Sequence, residues 1–157
     1  MADASDQRPV VVGVNATQDA VVLREAASLA ARLDTGLVCV WIDTARLPRE
    51  GDGTDASSVP VDPDVVGADD GESEVLARVR SVLDGSAARW RLVRASGEVV
   101  RALTTVASTY DAQLLVVGTR RPGIVEWVDA AIGGSVAAHL AHTQRRPVVV
   151  VPQGRSE

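Results

Sequence analysis

Five short runs rich in apolar residues alternate along this chain with longer stretches in which apolar residues recur at helical spacing. We predict that the runs are strands and that the stretches between them are helices. The predicted strands are Val10–Val14, Leu37–Ile42, Trp90–Arg94, Gln113–Val117 and Val148–Val151. Strands that alternate with helices throughout favour an α/β fold, with a five-stranded parallel sheet and helices on both faces.

The helical stretches carry the apolar faces that such a sheet needs. In the first, the apolar face comprises Val22, Leu23, Ala26, Leu29, Ala30 and Leu33. Gly36 follows as a helix stop. Two further stripes cover Val75–Leu83 and Val99–Tyr110, the second with Ser96 as its predicted N-cap. We predict the last helix at about Ser135–Thr143.

Composition limits the kind of protein this is. The chain has 157 residues, 46% of them hydrophobic, which predicts one domain over residues 1–157. Its net charge of −5 argues against a nucleic-acid or anionic-membrane partner. The polar N-terminus lacks a signal pattern and no run reaches membrane length, so we expect a cytoplasmic protein. Cys39 is the only cysteine, and its apolar strand predicts a buried side chain.

Two segments have an unusual polar composition. Residues 46–71 are acidic and rich in Gly, Pro, Ser and Asp, which predicts a long flexible loop, either a lid near a site or a tolerated excursion. Arg89, Arg91 and Arg94 alternate with apolar residues around Trp90. We interpret this second segment as an edge strand with one wet face, because charged residues protect such strands from unwanted pairing.

The most specific functional signal is the strand, glycine loop and helix start between Leu114 and Val136. Gly118 ends the apolar run, Arg120 and Arg121 follow, and Gly133, Gly134 and Ser135 open the last helix. Free N–H groups and the helix dipole make a helix start an anion site, and glycines allow a phosphate to approach the backbone. Ligands of parallel sheets bind beyond the carboxyl ends of the strands at the switch point, here after strands one and four.

The opening VVVGVNAT, the later VVGTRRPG and the GGSVAAHLA before a final RPVVVVP together resemble the universal stress protein family. The resemblance covers nearly the whole chain. It implies a Rossmann-like, adenine nucleotide alpha hydrolase-like fold and a role in the stress response. Such proteins often form homodimers through the last strand, here Val148–Val151, and divide into ATP-binding and non-binding groups.

The resemblance also implies which residues would bind ATP or another adenine nucleotide. Mg would bind only together with the nucleotide. The matching residues are Asn15 and Ile42 near the base and ribose, and Val117, Gly118, Gly133, Gly134, Ser135 and Val136 around the phosphates. Family members that bind ATP have an Asp at the position of Asn15. At the position of their second loop glycine this sequence has Arg121. Alternatively, Gly123 is that glycine, and the loop is longer. Losing a charge-assisted hydrogen bond costs about 1 kcal/mol, roughly fivefold in affinity.

An arginine in the altered loop could offset the affinity lost through these departures from the ATP-binding pattern. Arg120 or Arg121 aimed at a phosphate would contribute about 1.5 to 3 kcal/mol, whereas a solvated loop tip would contribute nothing. Asn15 has the alternative of satisfying local backbone groups. We therefore carry two hypotheses, a nucleotide-binding stress protein and a non-binding homodimeric adaptor of the same fold.

Enzymatic activity has little support in the sequence. Ser135 has no sequence-local base in a recognisable catalytic arrangement, so we predict no catalytic residues and at most weak ATP hydrolysis. His139 and His142 share a helix face, but no further ligand accompanies them, so we predict no metal site. A metal-dependent or hydrolytic enzyme is the least favoured of the three possibilities.

Overall fold

The computed structural model describes residues 8–18, 20–43, 70–119 and 136–153. Within these ranges strands and helices alternate along the chain. They are β1 Val10–Val14, α1 Ala20–Arg32, β2 Leu37–Asp43, α2 Asp70–Leu83, β3 Trp90–Ser96, α3 Val99–Thr109, β4 Leu114–Gly118, α4 Val136–Thr143 and β5 Val148–Val151. All strand pairs are parallel, so the predicted α/β fold with a five-stranded parallel sheet is confirmed.

The sheet has the strand order β3-β2-β1-β4-β5, with β1 at its centre. The chain runs outward from β1 to β3 and then returns to the other side of β1 for β4. β1 pairs with β2 along its whole length, from Val10↔Leu37 to Val14↔Trp41. Its ladder with β4 ends earlier, at Val12↔Val116. β1 and β4 therefore part at their carboxyl ends, which is where the strand order reverses.

Two apolar layers cover the sheet. Val10, Val12 and Val14 lie in the layer that α1 and α2 complete, whereas Val11 lies in the layer that contains α3 and Leu140 of α4. Because β1 is buried on both faces, its sequence is continuously apolar and does not alternate.

Cys39 of β2 lies in the α1 and α2 layer and is fully buried. Burial raises the pKa of its thiol far above the ordinary value, because the apolar surroundings disfavour the thiolate. The predicted buried side chain is confirmed, and its burial disfavours the thiolate, which is the reactive form of cysteine.

Several element boundaries differ from the prediction. Glu98, and not Ser96, caps α3: its carboxylate accepts hydrogen bonds from the N–H groups of Val100 at 2.9 Å and Arg101 at 3.0 Å. The Ser96 prediction is wrong because that residue still pairs in β3, and Gly97, with a φ of 99°, then turns the chain. Residues 70 and 71 of the expected loop belong to α2, and residues 46–69 lie outside the described residues.

Replacing Glu98 by alanine should lower the free energy of unfolding by about 1 kcal/mol, because two N–H groups in the first turn of α3 lose their acceptor. Urea unfolding followed by circular dichroism measures the change. Glu25→Ala is the matched control, since Glu25 is exposed within α1, and should change stability by less than about 0.5 kcal/mol. Equal losses in the two variants would contradict the capping role.

Candidate functional site

The candidate site is the crevice where β1 and β4 part at the carboxyl edge of the sheet. The ladder stops at Val12↔Val116, although β1 continues to Val14 and β4 to Gly118. Asn15 and Thr119 follow directly on the two strands. In open parallel sheets the ligand occupies this position, because diverging connections leave space between neighbouring strand ends.

Gln18, which lies just before α1, reaches back to the strand ends at this crevice. Its Nε2 donates a hydrogen bond of 2.9 Å to the carbonyl of Gly13. The N–H of Val10 bonds to Gly36 on the β2 side, so the alternation of the ladder points the Gly13 carbonyl towards β4. Gln18 thus satisfies a carbonyl that lies just beyond the last β1–β4 pair.

Two polar atoms beside this contact have no hydrogen-bond partner among the described residues. They are Oε1 of Gln18, whose side chain is 8% exposed, and Nε of Arg78 in α2. The two residues are joined, because Nη2 of Arg78 donates to the main-chain carbonyl of Gln18. A buried acceptor and a buried donor left in this state are suited to a bound water or a polar group of a ligand.

Gln153 covers the end of β4 on the side of α1. The N–H of Thr119 donates to the Val151 carbonyl at 2.9 Å, and the N–H of Gln153 donates to Oγ1 of Thr119 at 2.8 Å. The side chain then turns back, and its Nε2 donates to the Thr119 carbonyl at 2.6 Å. These bonds fasten the end of β5 to the loop that follows β4.

Gly118 leaves room for the side chains of Gln153 and Val22. A Cβ at position 118 would lie 2.7 Å from Cδ of Gln153 and 3.0 Å from Cγ2 of Val22 in α1. Both distances are tighter than ordinary van der Waals contact. The first glycine of the loop is therefore explained by the packing of the protein itself, and its predicted approach to a phosphate stays a prediction.

Asn15 adopts the local role that was one of its two interpretations. Its Oδ1 accepts hydrogen bonds from the N–H of Thr17 at 3.0 Å and from Oγ1 of Thr17 at 3.1 Å. This is an Asx-turn, which directs the chain from β1 towards α1. The contact holds Asn15 at the crevice and leaves its amide NH2 group to donate to a ligand.

The other predicted site residues divide into two groups. Ile42 and Val117 are buried in the α3 and α4 layer, and Val136 packs against the same layer at the start of α4. The fold thus places Ile42 and Val117 on one face near the carboxyl edge. The remaining predicted positions lie outside the described residues: Arg120, Arg121, Gly123, Gly133, Gly134 and Ser135.

A cluster of charges at the ends of β2 and β3 was not foreseen. Nη2 of Arg94 lies 3.0 Å from Oδ2 of Asp43, and its Nη1 lies 3.1 Å from Oε2 of Glu72 in α2. The guanidinium is 5.1 Å from the ring centroid of Trp41. Gly71 lies against the same ring, so the start of α2 docks directly on the sheet.

This cluster corrects the interpretation of the arginines around Trp90. β3 is an edge strand, as predicted, but its arginines do not share one wet face. Arg94 is three residues from Arg91 and so points to the opposite face, where its ion pairs half-bury it. That spacing was available in the sequence, whereas the position of Glu72 was not.

Residues with metal-binding chemistry do not converge in the described part of the chain. No group of three or more His, Cys, Asp or Glu side chains there is arranged to hold a metal ion. His139 and His142 are both exposed on α4. Their shared helix face therefore looks outward from the sheet.

Comparison with known proteins gives the family. A sequence model of the universal stress protein family matches residues 7–152. The chain belongs to the universal stress protein family. No curated protein sequence matches it.

Solved structures of universal stress proteins share the fold. One from Archaeoglobus fulgidus is 23% identical, with a TM-score of 0.62 and coverage of 93% of this chain and 94% of that chain. Another, in complex with cAMP, is 20% identical, with a TM-score of 0.65 and coverage of 94% and 98%. A third, from Archaeoglobus fulgidus in complex with dAMP, is 21% identical, with a TM-score of 0.61 and coverage of 92% and 97%. At these identities the likeness is one of fold.

In this universal stress protein, Gly118→Ala should lower the free energy of unfolding by about 1 to 2 kcal/mol, because the methyl group displaces the Gln153 amide from the Thr119 carbonyl. Chemical denaturation measures the loss. Gly13→Ala is the matched control in a neighbouring strand, since a Cβ there would meet Leu103 at an ordinary 3.5 Å.

A double-mutant cycle isolates the cause. In a Gln153→Ala background the cost of Gly118→Ala should fall, because the displaced amide is already absent. An unchanged cost in that background would contradict the proposed contact.

Proposed function

We propose that this universal stress protein binds an adenine nucleotide in the crevice between β1 and β4 and acts in the stress response through the bound state. The observation that carries the proposal is the early end of the β1–β4 ladder at Val12↔Val116, at the point where the strand order reverses. Oε1 of Gln18, which is buried and has no partner within the described ranges, supports it, because an acceptor there suits an amino or hydroxyl group of a ligand.

The related structures support the choice of ligand. The relatives in complex with cAMP and dAMP hold adenine mononucleotides, and they share the fold over nearly the whole chain. In the proposed complex Asn15 and the end of β2 at Ile42 lie beside the base and ribose. Gly118, Val136 and the residues between them in the sequence, including Arg120 and Arg121, would lie beside the phosphates. Mg would enter only with a nucleotide that carries several phosphates.

We propose that the bound nucleotide is held and not efficiently turned over. Asn15 supplies a neutral carboxamide at the crevice, and its oxygen is already engaged with Thr17. A neutral amide offers no base for activating water. Hydrolysis would therefore be weak at most, and the chain would act as a sensor or an adaptor.

The compartment we propose is the cytoplasm. None of the described helices has both the length and the apolar character needed to cross a membrane. The net charge of −5 would repel nucleic acids and anionic membranes, so we propose neither as a partner.

A homodimer formed through β5 is the second part of the proposal. β5 lies at one end of the sheet order and pairs with β4, and Val150 is 44% exposed. An edge strand with an exposed valine favours association with another strand, which buries that side chain and pairs the outer edge of β5, an edge that no described strand covers. This surface also supports the adaptor alternative, in which the dimer acts without nucleotide.

Asn15→Asp should tighten adenine nucleotide binding about fivefold, because a carboxylate keeps the acceptor for Thr17 and adds a charge-assisted bond to a ribose hydroxyl. Isothermal titration calorimetry with AMP, cAMP and Mg-ATP measures the affinity. Ser108→Asp, on the exposed side of α3 near the other edge of the sheet, adds the same charge and should leave affinity unchanged.

Tripolyphosphate at matched ionic strength separates nucleotide recognition from simple anion binding. The proposal expects heat with the adenine compounds and none with tripolyphosphate at equal concentration. Absence of heat with every nucleotide up to millimolar concentration, in the wild type and in Asn15→Asp, would contradict nucleotide binding.

Val150→Lys should raise the dimer dissociation constant at least tenfold, or about 1.4 kcal/mol, because a lysine on an edge strand opposes pairing. Sedimentation equilibrium measures it. Leu33→Lys is the matched control, since Leu33 is 42% exposed at the end of α1, and this variant should remain dimeric. A monomeric wild type, or equal weakening in both variants, would contradict the interface.

A further inference from the structure

The side-chain amide of Gln18 has two polar groups, and only one of them has a partner. Its Nε2 donates a hydrogen bond of 2.9 Å to the Gly13 carbonyl. A carbonyl only accepts, so the NH2 group must be the one that faces Gly13, and Oε1 is the group left over. Oε1 is buried and has no partner within the part of the chain that the structure describes. The residue is 8% exposed, so this acceptor is suited to a donor that enters the crevice.

The position of this amide indicates which part of a nucleotide would meet it. The Gly13 carbonyl faces β4 just beyond the last β1–β4 pair, so the amide bonded to it lies between the ends of these two strands. In the proposed complex the base lies towards Ile42 of β2 and the phosphates lie beside Gly118 of β4. The sheet order is β2-β1-β4 in this region. The ribose, which joins base and phosphate, would therefore lie closest to Gln18.

The second carboxamide at the crevice, that of Asn15, does not offer the same acceptor. Its Oδ1 already accepts hydrogen bonds from the N–H of Thr17 at 3.0 Å and from Oγ1 of Thr17 at 3.1 Å. A carboxamide oxygen has two lone pairs, so both are engaged, and the NH2 group of Asn15 only donates. A ribose hydroxyl that donates a hydrogen bond would find its acceptor at Gln18.

Gln18 is also held in place from two sides. Its side chain is bonded to β1 through Gly13, and its main-chain carbonyl accepts a hydrogen bond from Nη2 of Arg78 in α2. A side chain that is already fixed loses little conformational freedom when a ligand binds, so more of the hydrogen-bond energy contributes to affinity.

We propose that Oε1 of Gln18 accepts a hydrogen bond from a ribose hydroxyl of the bound nucleotide, and that this bond makes the crevice prefer ribonucleotides to nucleotides without ribose hydroxyls. The inference rests on the proposed function, because it assigns one group of the ligand to one residue of the same crevice. A ligand without ribose hydroxyls leaves the buried acceptor unpaired and therefore binds more weakly.

Calorimetry with AMP and with dideoxy-AMP, which lacks both ribose hydroxyls, tests the proposal. The wild type should bind AMP about fivefold tighter or more. Gln18→Leu should bind the two ligands with affinities within about twofold of each other, because neither finds the acceptor. The matched control is Gln113→Leu, since Nε2 of Gln113 also donates to a main-chain carbonyl, that of Arg8 at 2.7 Å, but at the amino edge of the sheet. This control should keep the full preference for AMP.

The ratio of the two affinities decides the outcome, because Gln18→Leu also removes the bond to Gly13 and so weakens the binding of both ligands. Equal affinities in the wild type would overturn the assignment and leave nucleotide binding standing. A preference that persists in Gln18→Leu would also overturn it, because another group would then recognise the hydroxyls. No binding of either ligand by the wild type up to millimolar concentration would overturn the assignment together with the proposed function.

The amino group of adenine is the other donor that an adenine nucleotide carries. Purine riboside monophosphate lacks this amino group and keeps both hydroxyls. A preference for AMP over this compound that disappears in Gln18→Leu would assign Oε1 to the base and overturn the ribose assignment. The proposal expects any such preference to be the same in the wild type and in Gln18→Leu.

The side-chain NH2 signals of Gln18 in isotope-labelled wild type provide a test that needs no variant, and they serve if circular dichroism shows that Gln18→Leu does not fold. Saturating AMP should shift these signals more than saturating dideoxy-AMP does, because only AMP bonds to the oxygen of the same amide. The signals of Gln113 should shift with neither ligand. Equal shifts of the Gln18 signals with the two ligands would contradict the proposal.

Discussion

The central strand β1 must be hydrogen-bonded along both edges and covered on both faces, and much of the structure follows from that requirement. Val10, Val11 and Val12 are fully buried. An unpaired backbone group in such a place costs about 1 to 3 kcal/mol. A β ladder beside β1 can therefore end only where another group forms a hydrogen bond to the backbone group that has lost its strand partner. At Gly13 this group is the side-chain amide of Gln18.

The crevice forms where side-chain amides, in place of a neighbouring strand, donate hydrogen bonds to main-chain carbonyls. Gln18 satisfies the Gly13 carbonyl where β4 parts from β1, and Gln153 satisfies the Thr119 carbonyl directly after β4. Arg78 ties Gln18 to α2, and Arg94 ties α2 to β2 and β3 through Glu72 and Asp43. The polar connections of the carboxyl edge thus continue from β1 across to β3. A ligand that bonds to Oε1 of Gln18 would enter this network without breaking a described hydrogen bond.

The sequence predicted the fold well because the fold depends on local periodicity. Five apolar runs and the helical stripes between them determine the layers, and β5 was placed with its observed limits. Boundaries were less certain where two polar residues competed, as when Glu98 rather than Ser96 capped α3. Spacing alone could have separated Arg94 from Arg91, since residues three apart in a strand lie on opposite faces.

The site was predicted less completely because its contacts join distant parts of the chain. Gln153 and Thr119 are 34 residues apart and meet only because Val151 pairs with Gly118. Gly118 was predicted as a place where a phosphate approaches the backbone; the structure shows that a Cβ there would also meet the Gln153 side chain, and the approach to a phosphate stays a prediction. Asn15 forms the local turn that an asparagine after a strand indicates.

A titration of isotope-labelled protein with AMP, followed by amide chemical shifts, tests the central claim most directly. The account predicts progressive shifts for Val14, Asn15, Gln18 and Thr119 at the carboxyl edge, while Leu37 and Arg91 at the amino edge stay unchanged. Shifts confined to the amino edge, or no shifts at millimolar AMP, would contradict a nucleotide site between β1 and β4.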